Sequence, residues 1–578
     1  MNKDNNLVYK LRRIEKLYKN KIAIITAKKN VSYEELYDLA YVYMDYLRDK
    51  ISANGIVCVI CERSIELCAC VLGIVQAGGA YCLYEPDDLN EEVVQNIVNI
   101  NPDLIISNRE IPQIKSNVVL MNKIVERTFV DREPTIDRKN NLLYIVNTSG
   151  TSSKSKAVAV NDINFLCYIN GYIDAISICD KDIVLQQSPI YYDGFAEEIF
   201  SMLLVGGSIV LAETYKLRNP YMLVQILNQY RVTLLPSTPL MLEQINRLNQ
   251  SLPLKKIVSS GDVLRKAQIN NLLGSYDVYN MYGLTETTVC ATYYKCSEED
   301  EELIPIGKEI KGYYVILMNQ EGEMVNEGEI VVGGESVAGY LWEKDNDEKM
   351  LSICGKKFFK TGDYGWKDEN GQLHYIGRKD RQIKIRGNRV NLEQIESSIR
   401  ENAEIDNVVV VYHKETNSLC CFFVSSKLSD YNLKIICKSK LPVYMRPNRY
   451  YKIKQIYVSD TGKIDYHKFY SLLNEEYDKV CRNVKDITSD DLLGNIIKII
   501  RYTINNFEAK LEDTWEELGV DSLSYIKVLV AIEEEYLLDF SDIVLIQNPS
   551  SSLSSFCKNI IDYINGEDIS ISDGEFLV

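Results

Sequence analysis

Through its first 380 residues the chain alternates short β-branched runs, IAIIT (22–26), GIVCVI (55–60), LLYIV (142–146) and SIVLA (208–212), with longer stretches of helical periodicity. Runs this short suit strands, and strands separated by helices pack as largely parallel sheets with helices on their faces. The expected fold class is α/β and multidomain. From Glu329 to Tyr375 the strands shorten and glycine punctuates them (EIVVGG, KFFKTGDYG, GQLHYIGR), which reads as a β-rich region after the α/β body. Residues 381 to about 470 read as another α+β unit, with a helix over NLEQIESSIRE and a strand over NVVVVY. Beyond a polar stretch near 475–490 the tail reads as helical: DLLGNIIKIIRYTI, then SLSYIKVLVAIEEEY, then a short helix after Asn548-Pro549.

A length of 578 residues exceeds what one core holds, and 46% hydrophobic with 25% charged residues excludes a disordered chain. The longest apolar run, Leu67 to Val75, falls short of the roughly 18 residues that span a bilayer. The opening MNKDNNLVYKLRRIEKL lacks an apolar stretch and cleavage site of the signal-peptide kind, so a cytoplasmic protein without a membrane partner is expected. Fifteen cysteines without framework spacing fit reduced core thiols better than disulfides. Cys58, Cys61, Cys68 and Cys70 lie in apolar sequence and read as packing, not as a metal cluster. Three histidines, His374, His413 and His467, offer little for a histidine-built metal site or a Ser-His-Asp triad.

Charge is uneven. From Cys481 onward 7 Lys and Arg face 19 Asp and Glu, a net −12 out of −17 for the whole chain. Such a balance argues against nucleic acid as a ligand and for a separate acidic C-terminal module.

The densest chemical signal is TSGTSSKSKAV (148–158), directly after LLYIV. Its hydroxyls, a glycine and Lys156 are the ingredients of a phosphate cradle, although the segment does not match the GxxxxGK[ST] loop. Taken alone, such a run is usually a plain loop. Around it stand VSYEEL (31–36), GIVQAGGAYCLYEPDD (73–88), YYDGFAEE (191–198), NMYGLTETT (280–288), GEIVVGGESVAGYL (328–341), KTGDYG (360–365), GRKDRQIKIRGNRVNLEQIE (377–396), LPVYMRP (441–447) and TGKID (461–465). These segments, in this order, resemble the adenylate-forming superfamily, specifically the amino-acid-activating adenylation domains of nonribosomal peptide synthetases. LGVDSL (518–523) resembles the phosphopantetheine attachment motif of a peptidyl carrier domain.

The resemblance implies an organisation: an adenylation core over 1–380 with two α/β sheets and a β-rich region, a mobile α+β subdomain over 381–475 hinged at Asp380, a helical carrier bundle over 485–566, and an acidic tail over 567–578. It implies ATP, Mg²⁺ and 4′-phosphopantetheine as cofactors. It implies that Thr148, Ser149, Gly150, Thr151 and Lys156 hold phosphates and that Asn280 faces the adenine edge. Tyr282 and Tyr375 would flank the base, Asp363 would take the ribose, and Arg378 would lie near ribose and phosphate. Gly261, Asp262 and Thr285 would complete the ATP site, and Glu286 would help to position Mg²⁺, which prefers oxygen ligands. Lys463 is the expected catalytic residue, bridging the substrate carboxylate and the α-phosphate. Ser522, at the start of an apolar helix, is the expected phosphopantetheine attachment site, against a plain N-cap serine. The family loop usually has Gly, Pro and Gly where this chain has Ser153, Ser155 and Ala157, which removes backbone freedom beside the phosphates.

Asp193 matches the family position that pairs with a substrate α-amino group. By motif spacing the other pocket positions are Gly194, Glu197, Pro236, Val258, Ser260, Met281, Val289 and Cys290. Glu197 is the one charged member of this second set, and a carboxylate on a pocket wall is costly unless a cation meets it, so a basic substrate such as lysine, ornithine or arginine is expected, against the alternative that Glu197 binds water or a neighbouring protein group. The implied partners are a phosphopantetheinyl transferase, a downstream condensation or tailoring enzyme and, as a candidate, a small MbtH-like protein. Two rivals stay open: an acyl- or aryl-CoA ligase, which would not need Ser522, and a catalytically silent carrier scaffold.

Overall fold

A computed structural model describes residues 6–52, 54–114, 118–126, 141–148, 156–217, 219–342, 349–378, 382–385, 388–402, 404–414, 416, 418–457, 464–466, 468–475, 489–504, 509–515, 517–518, 528–529, 531–532, 535–536 and 552–564. The chain packs as two compact units, residues 1–398 with 435–446, and residues 399–434 with 447–578. The expected hinge Asp380 lies outside the described residues.

In the first unit the β-branched runs become two sheets. A seven-stranded sheet runs in the order Gly339–Tyr340, Lys156–Asn161, Leu142–Thr148, Ala80–Tyr84, Ile56–Ile60, Leu104–Ser107, Val118–Leu120. A nine-stranded sheet holds Ile183–Leu185, Ser208–Val210, Leu234–Ser237, Lys256–Ser259 and Asp277–Tyr282 as neighbouring parallel strands. Both sheets are parallel in the middle and antiparallel at one or both margins. A third, five-stranded antiparallel sheet contains Glu327–Gly334, Lys356–Lys367 and Leu373–Arg378, which is the expected β-rich region.

Local chemistry sets the helices. Ser32 opens Tyr33–Leu47 as a capping box with Glu35, so the segment VSYEEL is a helix start. In Ile65–Gln76 every residue except Glu66 is buried, which places Cys68 and Cys70 in the core. Gly73 lets this helix meet its neighbour: a Cβ there would stand 2.5 Å from Tyr43 Cβ and 2.7 Å from the Ala40 carbonyl oxygen. Cys58 packs in a separate cluster from Cys61, Cys68 and Cys70, and all four are free thiols whose pKa burial raises.

In the second unit Asn407–His413 and Ser418–Val424 pair antiparallel, and Arg449–Lys452 adds in parallel. His413 is a satisfied core histidine, bonded to Thr416 Oγ1 at 2.8 Å and Asn474 Oδ1 at 2.9 Å. The helices Ser489–Thr503 and Leu553–Ile564 share a small core with Trp515, whose ring meets Phe556 edge-on at 5.0 Å. Most of the expected middle helix of this tail, with Ser522, lies outside the described residues. Among the described residues no helix is long and apolar enough to cross a membrane.

Candidate functional site

Ligands of open parallel sheets bind beyond the carboxyl ends of the strands. Here those ends carry Ser237, Ser260, Gly261 and Gly283, and all four line one cavity of about 330 Å³. The helix Asp193–Val205 closes the cavity with Asp193, Gly194 and Glu197. Asp193 is therefore the first residue of a helix.

Three carboxyl groups cluster on this helix, Glu197 and Glu198 buried and Asp193 half-buried. Burial pushes Asp193 up to about 6, with the charge of Glu286 adding and the Thr285 hydroxyl opposing. Asp193 Oδ2 is buried without a hydrogen-bond partner. Burial pushes Glu197 up to about 8, against the hydroxyl of Tyr168, which donates to Glu197 Oε2. Glu198 points into a different environment and is pushed by burial up to about 7. It accepts from Gln186 Nε2 at 2.7 Å and Ser188 Oγ at 2.8 Å. Arg63 braces the same loop by donating to the Ser188 carbonyl at 2.9 Å and to Thr214 Oγ1 at 2.8 Å. Gly194 is required there, because a Cβ would lie 2.6 Å from Ser188 Oγ.

Of the expected pocket residues, Asp193, Gly194, Glu197, Pro236, Ser260, Val289 and Cys290 line the cavity. Val258 and Met281 do not; both are buried in the core beneath it. Ser237 does, with a buried hydroxyl that has no partner, and motif spacing had pointed to its neighbour Pro236. Val289 and Cys290 reach the cavity through a tight turn. Thr288 and Val289 adopt φ of 59° and 64°, a conformation that β-branched residues avoid. Tyr313 Oη clamps the turn by donating to the Thr287 and Thr288 carbonyls at 2.8 and 3.1 Å. Gly283 lets it fold back, since a Cβ there would lie 2.4 Å from Cys290 Cα.

A second group of expected residues gathers around Asp363, which is fully buried. It accepts from Tyr282 Oη at 2.6 Å, Arg378 Nη1 at 3.0 Å and Tyr375 Oη at 3.3 Å, and the two tyrosine rings stand 6.2 Å apart. Asn280 donates through Nδ2 to the Pro305 carbonyl at 2.9 Å, while its Oδ1 is buried without a partner. An orphaned acceptor beside two aromatic rings fits a base bearing an exocyclic amine, so these residues suit a nucleotide such as ATP. Gly261 takes φ of +90° and Asp262 accepts from the Val263 amide at 2.7 Å, holding the turn after Lys256–Ser259.

The phosphate-loop residues split at the limit of the described residues. Thr148 and Lys156 are antiparallel partners, the last pair before the segment that joins their two strands, and Ser149, Gly150 and Thr151 between them lie outside the described residues. Ala157, where the family has glycine, is a strand residue whose methyl packs into an apolar cluster. Lys156 Nζ sits 4.9 Å from the ring centroid of Tyr340, and Tyr340 Oη donates to Glu286 Oε1 at 3.1 Å. Among the described residues no group of three or more His, Cys, Asp or Glu side chains could hold a metal. Mg²⁺ needs no such group, since one or two carboxylates together with substrate phosphates bind it, and Glu286 suits that role. Lys463 and Ser522 lie outside the described residues.

Sequence reading missed Ser237, Tyr168, Glu198, Arg63 and Tyr340. Ser237 alone had a signal, standing next to Pro236 at a strand end.

Comparison with known proteins bears on the whole arrangement. The family model for the AMP-binding enzyme matches residues 11–342, and the model for the phosphopantetheine attachment site matches residues 492–556. Bacitracin synthase 2 of Bacillus licheniformis is 32% identical over 461 residues, covering 77% of this chain and 18% of that protein. Gramicidin S synthase 2 of Brevibacillus brevis is 27% identical over 577 residues, covering 94% of this chain and 13% of that protein. The chain thus spans under a fifth of the length of these relatives. Among solved structures, holo-PA1221, a protein containing adenylation and PCP domains and bound to a vinylsulfonamide inhibitor, superimposes with a TM-score of 0.73 at 22% identity, covering 96% of both chains. The Vibrio cholerae adenylation domain AlmE, in complex with glycyl-adenosine-5′-phosphate, does so with 0.71 at 20% identity, covering 81% of this chain and 98% of that one. These likenesses show a shared fold. The chain belongs to the AMP-binding enzyme family, the family of the adenylating ligases of nonribosomal peptide synthetases, and it carries a carrier domain with a phosphopantetheine attachment site.

Proposed function

We propose that this chain activates an amino acid with a basic side chain as its aminoacyl adenylate and transfers it to its own carrier domain. One observation carries the amino-acid reading: Asp193 Oδ2 is a buried, unpartnered carboxylate oxygen on the cavity wall. An unsatisfied buried group of this kind costs on the order of 1–3 kcal/mol, which an incoming α-ammonium group relieves. The basic side chain follows from Glu197 and Ser237. Both line the same cavity, and a distal ammonium would find a carboxylate and a spare hydroxyl there.

In the activation step a substrate carboxylate oxygen attacks the α-phosphorus of ATP, the bond to the bridging oxygen breaks, and pyrophosphate leaves. The residues bind and orient. Asn280 Oδ1 accepts from the adenine amine, Tyr282 and Tyr375 flank the base, and Asp363 takes the ribose with Arg378 beside it. Gly261, Asp262 and Thr285 shape the turn around the nucleotide. Thr148, Ser149, Gly150, Thr151 and Lys156 would hold the phosphates, and Glu286 would hold Mg²⁺, which would neutralise phosphate charge. Lys463 neutralises the charge that moves between carboxylate and phosphate, the term that dominates phosphoryl chemistry. A phosphopantetheine arm on Ser522 supplies the thiol that accepts the aminoacyl group.

We assign the adenylation core to residues 1–380, a mobile subdomain to 381–475 turning about Asp380, and the carrier to 485–566. The protein acts in the cytoplasm, is loaded by a phosphopantetheinyl transferase, and delivers to a separate condensation or tailoring enzyme, with an MbtH-like protein as a further candidate partner.

Pyrophosphate exchange across the amino acids, with ATP and Mg²⁺, tests the reading. Exchange with lysine, ornithine or arginine that collapses in Glu197→Gln supports it. A neutral substrate indifferent to Glu197→Gln ends the basic reading alone, release of a free CoA thioester marks a CoA ligase, and no exchange at all marks a scaffold.

A further inference from the structure

Tyr340 belongs to GYL at the end of the glycine-rich segment, far in sequence from both the phosphate loop and Glu286. Sheet register brings it to both. The strand Gly339–Tyr340 adds to the edge of Lys156–Asn161, with Tyr340 opposite Val158, and the Leu341 amide donates to the Ala157 carbonyl at 2.8 Å. On the other side the Ala338 amide donates to the Glu286 carbonyl at 3.0 Å. The side chain therefore stands between two charged side chains, Lys156 and Glu286. Its ring faces Lys156 Nζ at 4.9 Å, and its hydroxyl donates to Glu286 Oε1 at 3.1 Å.

We propose that Tyr340 is a positioning residue for Mg·ATP: its ring seats the Lys156 ammonium and its hydroxyl fixes the Glu286 carboxylate through Oε1. The inference rests on the roles given above to Lys156 and Glu286. Its physical basis is twofold. A lysine ammonium over an aromatic face is attracted by the ring quadrupole, and a hydrogen bond to a carboxylate restricts its rotation. Both act before any nucleotide arrives, so Tyr340 lowers the cost of organising two flexible side chains around a polyanion.

The two contacts separate by substitution. Tyr340→Phe keeps the ring and loses the hydroxyl; Tyr340→Leu loses both. Binding of ATP to the whole chain is measured by calorimetry in EDTA and again across a Mg²⁺ titration. In Tyr340→Phe, metal-free ATP binding should stay within about twofold of the parent, while the Mg²⁺ concentration at half-effect rises about five- to tenfold. In Tyr340→Leu the same Mg²⁺ shift should come with metal-free binding weakened about two- to fivefold. A Phe variant with unchanged Mg²⁺ dependence overturns the proposal, and this arm decides even if the Leu variant does not fold. So does a folded Leu variant that binds metal-free ATP like the parent. If the parent chain itself binds no ATP, the function proposed above fails instead.

Discussion

Tyr168, in the helix Asp162–Ile176, donates its phenolic proton to Glu197 Oε2, in the helix Asp193–Val205. The carboxyl group on the cavity wall is thus held from behind, while desolvation keeps its pKa near 8. A carboxyl so poised stays protonated in an empty cavity and ionises when a cation arrives.

Glu197 therefore predicts a proton release. Near pH 7 the parent chain should release up to one proton from Glu197 on binding a basic amino acid, read as the dependence of calorimetric heat on buffer ionisation enthalpy. Glu197→Gln should lose that release. The stability sign follows from the raised value. The unfolded chain ionises this group near its ordinary value of 4.5, so the folded chain holds the extra proton between there and about 8 and loses stability as pH rises across that window. Glu197→Gln should gain on the order of 4 kcal/mol over the parent between about pH 5 and 9, seen in urea midpoints. A constant difference across that range would refute the buried, protonated state.

The Thr288–Val289 turn predicts a specificity effect with no direct substrate contact. Tyr313 holds it through two carbonyls, and the strained Val289 backbone persists because of such clamps. Tyr313→Phe removes both bonds, worth about 1–2 kcal/mol together. The KM for the amino acid should rise about five- to tenfold with KM for ATP unchanged, because Val289 and Cys290 face the cavity. Equal rises in both constants would mean that the turn does not act through the pocket.

Motif order made the family and most of the cavity-lining pocket positions legible, because those side chains sit at strand ends and helix starts where sequence signals are strongest. Depth was not legible. Val258 lies inside the strand Lys256–Ser259 and Ser260 just past its end, so spacing of two favours both alike, yet only Ser260 reaches the cavity, since the site opens beyond the strand end. Pro236 and Ser237 differ by one residue at such an end, and spacing alone cannot select between them. Tyr168 was one of 40 tyrosines, and its bond to Glu197 depends on how two helices pack. Tyr340 meets Lys156 only through pairing of strands more than 170 residues apart. The alternating β-branched runs, by contrast, appear as strands where expected because their burial requires only local sequence and a covering helix.

Asn280 predicts a loss confined to the nucleotide. Its Nδ2 is spent on the Pro305 carbonyl, and Oδ1 waits unpaired. In Asn280→Ala, KM for ATP should rise about tenfold or more, from losing one buried hydrogen bond and the carbonyl's partner, with KM for the amino acid near the parent value. Comparing ATP with its analogue lacking the exocyclic amine gives the check. The parent should discriminate between them and the variant should not. Equal preference in both chains would remove Asn280 from base recognition.

Lys463 and Ser522 predict that the two half-reactions come apart. Lys463 stands in TGKID and Ser522 in the carrier region, and in the roles proposed above each would serve one bond-making event. Removing a cation that balances charge at the α-phosphate should lower pyrophosphate exchange at least about a hundredfold in Lys463→Ala. The same variant, with its carrier already armed and a synthetic aminoacyl adenylate supplied, should still form the thioester, because in that step the sulfur attacks the acyl carbon and AMP departs. Ser522→Ala should behave in the opposite way. It should take up no phosphopantetheine from CoA and a transferase, by intact mass, while exchanging pyrophosphate like the parent, since separate sites act independently. A Lys463→Ala chain that loses both steps to the same degree, with its thermal unfolding unchanged, would assign Lys463 to binding the adenylate and not to making it.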